Sequence, residues 1–274
     1  MTISTGIIGY PIAHSLSPVI HRAAFDAVGI DGTFEIIEVP EGGAAQAIEA
    51  ARARGMRGLS VTFPHKEAAV ASTNELAAHA RMLGAVNTLV FDGATTRGDN
   101  TDGAGFVNGL RDDAGVDPAG MRCLVVGAGG AARAVVLALG AAGAAEVAVL
   151  NRTHDRAVAA AALAGDAGRV AVGPGEALAA ELIVNATTIG MDGGGGAGEL
   201  PLSPEVLRGG QIVVDLVYHP LQTAFLRAAE AAGATPVTGI PMLVHQAAVQ
   251  FEIFTGEAPA VAPMRAAALA ALSA

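Results

Sequence analysis

The sequence predicts an α/β protein of two domains, one of them a doubly wound parallel sheet. Three observations carry that prediction. From about residue 121 to 238, short β-branched runs alternate with alanine-rich helical stretches. Within that half, the apolar run Met121–Val126 ends in Gly127-Ala128-Gly129-Gly130-Ala131-Ala132-Arg133, which opens the helical stretch Ala131–Gly140. Residues 1 to about 100 also alternate, with a less regular rhythm. A chain of 274 residues is long enough to bury a core in each half.

In chain order, Ile3–Ile8 reads as a strand. A helix starts at Ser17-Pro18, runs to Val28 and stops at Gly29, with serine as cap, proline in the first turn and glycine beyond the end. Phe34–Val39, Gly58–Thr62 and Val86–Phe91 are further strands, and Asp92-Gly93 is a turn that can close a hairpin. The second half gives six apolar runs: Arg122–Val126, Glu146–Leu150, Arg169–Val172, Leu182–Ala186, Gln211–Leu216 and Thr235–Val237. Runs without polar alternation fit a parallel sheet covered on both faces. Thr153 is placed to cap the helix after the second of them. Asp192–Gly198 reads as a mobile surface loop, and Pro241–Thr255 and Pro263–Leu272 as closing helices.

The turn at Gly127 has a chemical meaning. A strand that bends on glycines into a helix aims several backbone N–H groups, and the helix's positive end, at one spot that suits a pyrophosphate. Gly127, Ala128, Gly129, Gly130 and Ala131 are the expected cradle. At the end of the next strand, an acidic residue usually holds the ribose 2′-hydroxyl of NAD. Here Asn151-Arg152-Thr153 stands there instead. Loss of the carboxylate beside an arginine favours the 2′-phosphate of NADP, and Arg156, one helical turn on, is a second candidate phosphate contact.

Composition narrows the classes. The formal net charge is −10 and aromatic residues make up 4%, with no basic run, which argues against a nucleic-acid partner. No stretch of roughly 18 bulky apolar residues is present, which argues against a membrane partner. The start of the chain lacks the basic flank of a signal peptide, so the cytoplasm is the expected compartment. Cys123 is the one cysteine; it reads as a small core filler, and no disulfide or metal site is expected.

Seven segments, in order, carry a more specific signal. They are Gly9-Tyr10-Pro11-Ile12-Ala13-His14-Ser15-Leu16-Ser17-Pro18, Ser60-Val61-Thr62-Phe63-Pro64-His65-Lys66, Gly84-Ala85-Val86-Asn87-Thr88 and Asp99-Asn100-Thr101-Asp102-Gly103 in the first part of the chain. Asn185-Ala186-Thr187-Thr188-Ile189-Gly190-Met191, Asp215-Leu216-Val217-Tyr218-His219-Pro220 and Gly239-Ile240-Pro241-Met242-Leu243-Val244-His245-Gln246 follow. With them the chain resembles the shikimate dehydrogenase family over nearly its whole length.

The resemblance implies a fold and a set of roles. It implies a substrate domain of residues 1–103 completed by helices of 239–274, and a Rossmann NADP-binding domain of 104–238. A cleft between them is expected to close around the ligands, with hinges at Gly103–Gly105 and Thr238–Gly239. It implies that Ser15, Ser17 and Tyr218 hold a substrate carboxylate, and that Ser60, Thr62, Asn87 and Gln246 meet substrate hydroxyls. Many members place asparagine where this chain has Ser60, so the preferred hydroxyl pattern is open. Thr187, Leu216, Gly239 and Met242 fall among the implied cofactor contacts.

Lys66 and Asp102 are the implied catalytic pair. Reduction of a ketone builds negative charge on its oxygen, which a nearby acid must stabilise and protonate. Desolvation lowers a lysine's pKa and a facing carboxylate raises it, so the two effects oppose each other. The implied reaction is the reversible, NADPH-dependent reduction of 3-dehydroshikimate to shikimate by a monomer or homodimer. A quinate- or aminoshikimate-using relative and an inactive NADP-binding sensor are the alternatives; the sensor would be expected to lose Lys66 or Asp102. His14 beside Ser15 is not read as a hydrolase pair, and His65 is either at the edge of the site or in a solvent-facing loop.

Overall fold

The computed structural model describes residues 2–192 and 198–273; most of the glycine-rich segment expected at Asp192–Gly198 lies outside them. The chain divides into two compact units, Met1–Gly105 with Val244–Ala274, and Phe106–Leu243.

The first unit holds β1 (Ile3–Gly9), α1 (Ser17–Val28), β2 (Gly32–Glu38), α2 (Ala44–Ala53), β3 (Gly58–Val61), β4 (Glu75–Leu76), α3 (Ala78–Leu83), β5 (Thr88–Asp92) and β6 (Thr95–Asp99). Its sheet runs β2-β1-β3-β5-β6-β4. The β2-β1-β3 part is parallel, whereas β5 pairs antiparallel with both β3 and β6. The hairpin expected at Asp92-Gly93 is the β5–β6 turn. Neighbouring residues of β1 feed opposite faces: Ile8 joins Leu59, Val61 and Leu89, while Ile7 joins Phe34, Val90 and Phe254.

At α1 the cap differs from the expectation. Leu16 occupies the N-cap position and Ser17 is the first helical residue. The Ser17 amide donates to Ser15 Oγ at 3.2 Å, so the preceding serine supplies the acceptor. Proline early and left-handed Gly29 at the end are as read. Helix α2 escapes the sequence reading because its buried stripe, Ala44, Ile48 and Ala51, is mostly alanine and gives a weak periodic signal.

Beyond β6, α4 (Asp102–Ala114) passes from the first unit into the second. There follow β7 (Arg122–Val126), α5 (Gly130–Ala141), β8 (Glu146–Leu150), α6 (His154–Ala161), β9 (Gly168–Val170), β10 (Leu182–Asn185), β11 (Ile212–Asp215), α7 (Ala224–Ala231) and β12 (Thr235–Val237). The sheet order is β12-β11-β10-β7-β8-β9, and every pairing is parallel. From β9 inward that is the 3-2-1-4-5-6 order of a Rossmann sheet. Alternate residues of β7 show why its run is apolar throughout. Cys123 and Val125 enter one buried cluster and Leu124 and Val126 the other, so neither face meets water. Cys123 is the core filler expected, its thiol pushed up to about 12 by burial.

The ninth strand is shorter than its apolar run. Ala171 still donates to Val149 O, but the Val172 amide turns to Glu176 Oε1 and its side chain is 96% exposed. Helices α8 (Ile240–Thr255) and α9 (Val261–Leu272) close the chain, and α9 packs on α1. Among the described residues no helix is long and apolar enough to cross a membrane.

Candidate functional site

In the first unit, four polar side chains from distant stretches lock together. Lys66 follows β3, Asn87 precedes β5, and Asp102 opens α4. Lys66 Nζ donates to Asp102 Oδ2 at 2.5 Å, with the side chains 22% and 8% exposed. Asn87 fixes the other carboxylate oxygen: its Nδ2 donates to Asp102 Oδ1 at 2.7 Å and to Thr101 Oγ1 at 3.0 Å. Its Oδ1 accepts from the Thr101 amide at 2.8 Å and from the Thr88 hydroxyl at 2.7 Å. Asn87 thus uses both amide hydrogens and its oxygen within the protein. Lys66 keeps two N–H donors beyond Asp102.

The turn that delivers Asp102 is itself pinned. Asn100 Oδ1 accepts the Asp102 amide at 3.2 Å, and Asn100 Nδ2 donates to Ala85 O at 3.1 Å. The Lys66 carbonyl accepts from the Val86 amide at 2.8 Å. The chemical result is a cation held on a buried carboxylate with donors to spare, which is what proton delivery to a developing oxyanion requires.

The other expected substrate residues of this unit are Ser15, Ser17, Ser60, Thr62 and Gln246. Ser17 and Ser60 are buried, Ser15, Thr62 and Gln246 half-buried. Ser15 and Ser17 are joined through the cap contact at the start of α1. Ser60 Oγ donates to Gln250 Oε1 at 2.7 Å, a partner the sequence reading passed over. Gln246 sits against Gly105, where a Cβ would come within 2.5 Å of the Gln246 backbone nitrogen. Close packing, rather than flexibility, therefore demands that glycine. His14 is exposed. His65 is not the solvent-facing loop residue considered above: it is 2% exposed and its Nε2 donates to Val39 O at 2.7 Å.

The second unit presents a site of another kind. Gly127 has φ +115° and its amide donates to Leu150 O at 2.8 Å, tying the turn after β7 to the end of β8. A Cβ there would come within 3.0 Å of Ala186 O. Gly129 is the N-cap of α5 and provides no capping side chain. The first N–H groups of a helix have no partner inside it, so the amides of Gly130 and Ala131 are offered outward. At Gly129 and Gly130 nothing lies within 4 Å of where a Cβ would stand. The half-buried Ala128 completes the turn. This backbone suits a pyrophosphate.

Beside it, Asn151 Nδ2 donates to Thr153 O at 3.0 Å and shapes the loop into α6. Thr153 occupies the N-cap position as expected, yet its hydroxyl makes no capping bond. Arg152 and Arg156 are exposed, and neither guanidinium has an ion pair or hydrogen bond among the described residues. Free arginines next to a phosphate cradle fit a cofactor with an additional phosphate.

Support for the neighbouring loops comes from a buried network that sequence reasoning missed. Asn185 Nδ2 donates to Asp215 Oδ1 at 2.8 Å, and Thr223 Oγ1 donates to Asp215 Oδ2 at 2.7 Å. Burial raises the Asp215 carboxyl above its ordinary pKa, opposed by these donors. Thr187 Oγ1 donates to Asn185 Oδ1 at 2.7 Å, and the Leu216 amide donates to Asn185 O at 2.9 Å. A Cβ on Gly239 would meet Leu216 O at 2.5 Å, and Met242 packs on the core around Val125 and Leu139. Tyr218 belongs to this unit, its hydroxyl pKa raised by burial. The available signal was an Asn and an Asp, each ending an apolar strand.

Comparison with known proteins agrees with this fold. The family description "Shikimate dehydrogenase substrate binding domain" matches residues 7–89, "Shikimate / quinate 5-dehydrogenase" 113–183, and "Shikimate 5'-dehydrogenase C-terminal domain" 239–269. The NADP(+) shikimate dehydrogenase of Methanopyrus kandleri is 42% identical over 277 residues, covering 96% of this chain and 94% of that protein. The chain belongs to the shikimate dehydrogenase family. Its counterpart in Symbiobacterium thermophilum is 44% identical, covering 97% of this chain and 94% of that one. Among solved structures, Thermus thermophilus shikimate 5-dehydrogenase in complex with NADP(H) and shikimate superposes with a TM-score of 0.91. It is 40% identical, and the match covers 98% of this chain and 100% of that one. The quinate dehydrogenase of Corynebacterium glutamicum, in complex with NAD, is a more distant family relative at 33% identity and TM-score 0.88, covering 98% and 99% of the two chains.

Proposed function

We propose that this protein is an NADP-dependent shikimate dehydrogenase that reversibly reduces 3-dehydroshikimate to shikimate in the cytoplasm, as a step of aromatic amino-acid biosynthesis. The observation that carries the reading is the Lys66–Asp102 contact, held on its far oxygen by Asn87.

In this reading residues 1–103 with the helices of 239–274 form the substrate domain, and 104–238 the NADP-binding domain. Lys66 Nζ gives a proton to the substrate carbonyl oxygen in reduction and takes it back in oxidation. Asp102 holds the ammonium in position and accepts from a substrate hydroxyl. Ser15, Ser17 and Tyr218 bind the substrate carboxylate; Ser60, Thr62, Asn87 and Gln246 bind its hydroxyls. Because Asn87 is already bonded to Asp102 and Thr101, its contact with substrate must share a bond it already makes.

Gly127, Ala128, Gly129, Gly130 and Ala131 would hold the cofactor's pyrophosphate, and Asn151, Arg152, Thr153 and Arg156 its 2′-phosphate ribose. Thr187, Leu216, Gly239 and Met242 line the remainder. When bound, the reduced cofactor supplies the hydride. The working form is a monomer or homodimer, with small molecules rather than nucleic acid or membrane as partners.

The test is turnover of shikimate and quinate with NADP and with NAD. The reading requires shikimate with NADP to be the preferred pair. The second reading, a quinate-using, NAD-preferring enzyme, is favoured by the Corynebacterium relative and opposed by Arg152 at the end of β8. Preference for quinate with NAD in the same assay would establish it instead.

A further inference from the structure

Ser60 makes a bond whose direction is forced. Its hydroxyl lies 2.7 Å from Gln250 Oε1, and Gln250 Nε2 lies 3.3 Å from Asn87 O. Both side chains are buried. A backbone carbonyl can only accept, and Asn87 O also accepts the Val61 amide at 2.7 Å. The Gln250 NH₂ must therefore face Asn87 O. Turning the carboxamide over would set two acceptors against each other. With its nitrogen committed in this way, Gln250 presents its oxygen to Ser60. Ser60 must donate its one proton to that oxygen.

His21 is the other polar group beside Gln250. It is stacked on Phe34 at 4.2 Å, and neither ring nitrogen has a partner in hydrogen-bonding geometry. Burial pushes its pKa down to about 3, against an opposing influence from Gln250, so the ring is uncharged; an N–H that it turns toward Gln250 meets the same carboxamide oxygen, which has a second lone pair.

We infer that Gln250, through Ser60, is a specificity-determining positioning residue: it leaves Ser60 only lone pairs to offer, so Ser60 recognises a substrate hydroxyl and rejects the substrate carboxylate. The inference rests on the proposed reading that Ser60 contacts shikimate. Gln250 touches no substrate in this scheme. It sets the polarity of a residue that does, from α8, 190 positions away in the chain.

The experiment compares wild type, Ser60→Ala and Gln250→Met with shikimate, its 4-deoxy and 5-deoxy analogues and its methyl ester, with thermal stability measured alongside. Wild type that turned over no shikimate would sink the functional reading itself and be recognised at once. Given turnover, Ser60→Ala is expected to lower kcat/KM for shikimate about 3- to 10-fold, the scale of one neutral hydrogen bond. That penalty should vanish for the one deoxy analogue lacking the contacted hydroxyl and persist for the methyl ester. Gln250→Met frees the Ser60 proton, and the preference for shikimate over that same analogue should shrink by a similar factor. A Ser60→Ala penalty lost only with the methyl ester, or no penalty at all, overturns the proposal. So does Gln250→Met that lowers stability while leaving the preference unchanged. Should Gln250→Met fail to fold, the Ser60→Ala series decides alone.

Discussion

The two halves of this protein build their candidate sites from different material. In the first unit, side chains hold side chains: Lys66, Asp102, Asn87 and Thr101 are bonded to one another before any ligand is considered. In the second, the cradle at Gly127–Ala131 is backbone, open above Gly129 and Gly130, and neither Arg152 nor Arg156 is bonded among the described residues. The difference matches the role proposed for each. Placing a proton requires an ammonium fixed to within a fraction of an ångström, which only a fully bonded set of neighbours can give. Holding a phosphate requires several N–H donors and positive charge, which a helix start and an exposed arginine supply. Loss of one member should thus damage the first site steeply and the second by degrees.

The steepest expected loss is at Lys66. Lys66→Ala should reduce kcat by roughly a hundredfold or more, the scale of a positioned acid or base, while shikimate affinity changes much less. Near-normal turnover in a steady-state assay would break the contrast, since the interlocked site would then hold no proton carrier.

Asn87→Ala sharpens it. That change orphans the Thr101 amide and the Thr88 hydroxyl and frees one carboxylate oxygen of Asp102, all buried. Stability should fall by about 2–3 kcal/mol in urea titration, and kcat with it. A fall in stability with kcat untouched would show that Asp102 keeps its place without Asn87.

For the second unit, Arg152→Ala should weaken NADP about ten- to a hundredfold and leave NAD almost unaltered, because only NADP has the 2′-phosphate. Calorimetric titration of both cofactors measures this, and equal weakening of the two would remove Arg152 from phosphate recognition.

The smallest effect concerns pH. His79 Nε2 donates to Asp99, whose Oδ1 also accepts the Asn100 amide in the turn leading to Asp102. That bond raises the His79 pKa above 6.5, with burial acting against it. Its stabilisation is fully present below 6.5 and is lost as pH rises through the raised folded-state value. The pair is substantially exposed, so screening should keep it under about 1 kcal/mol. The stability gap between wild type and His79→Gln should therefore be widest below pH 6.5 and close at higher pH. A gap independent of pH would mean that the ion pair contributes nothing.

Much of this protein is written in local order. The strands β7, β8 and β12 have the residue limits read from their apolar runs, and the helix beginning at Ser17 stops at Gly29 as its punctuation requires. The turn at Gly127 was legible for the same reason, since strand, glycines and helix are contiguous. What stayed hidden was either weakly periodic, as in the alanine-faced α2, or a matter of partnership. Ser15 accepting the Ser17 amide, Asn185 bonded to Asp215, and His65 turned inward to Val39 all depend on which groups meet.

By itself, then, the sequence determined most of the elements, the parallel second sheet, the glycine turn after β7 and, through motifs in order, the family. Only the tertiary structure decided which polar atoms answer each other. Asn87 finds Asp102 15 residues on, and Ser60 finds Gln250 190 residues on. Propensity and periodicity act over a turn or a strand, whereas a buried hydrogen bond between distant residues exists only once packing has expelled water from both.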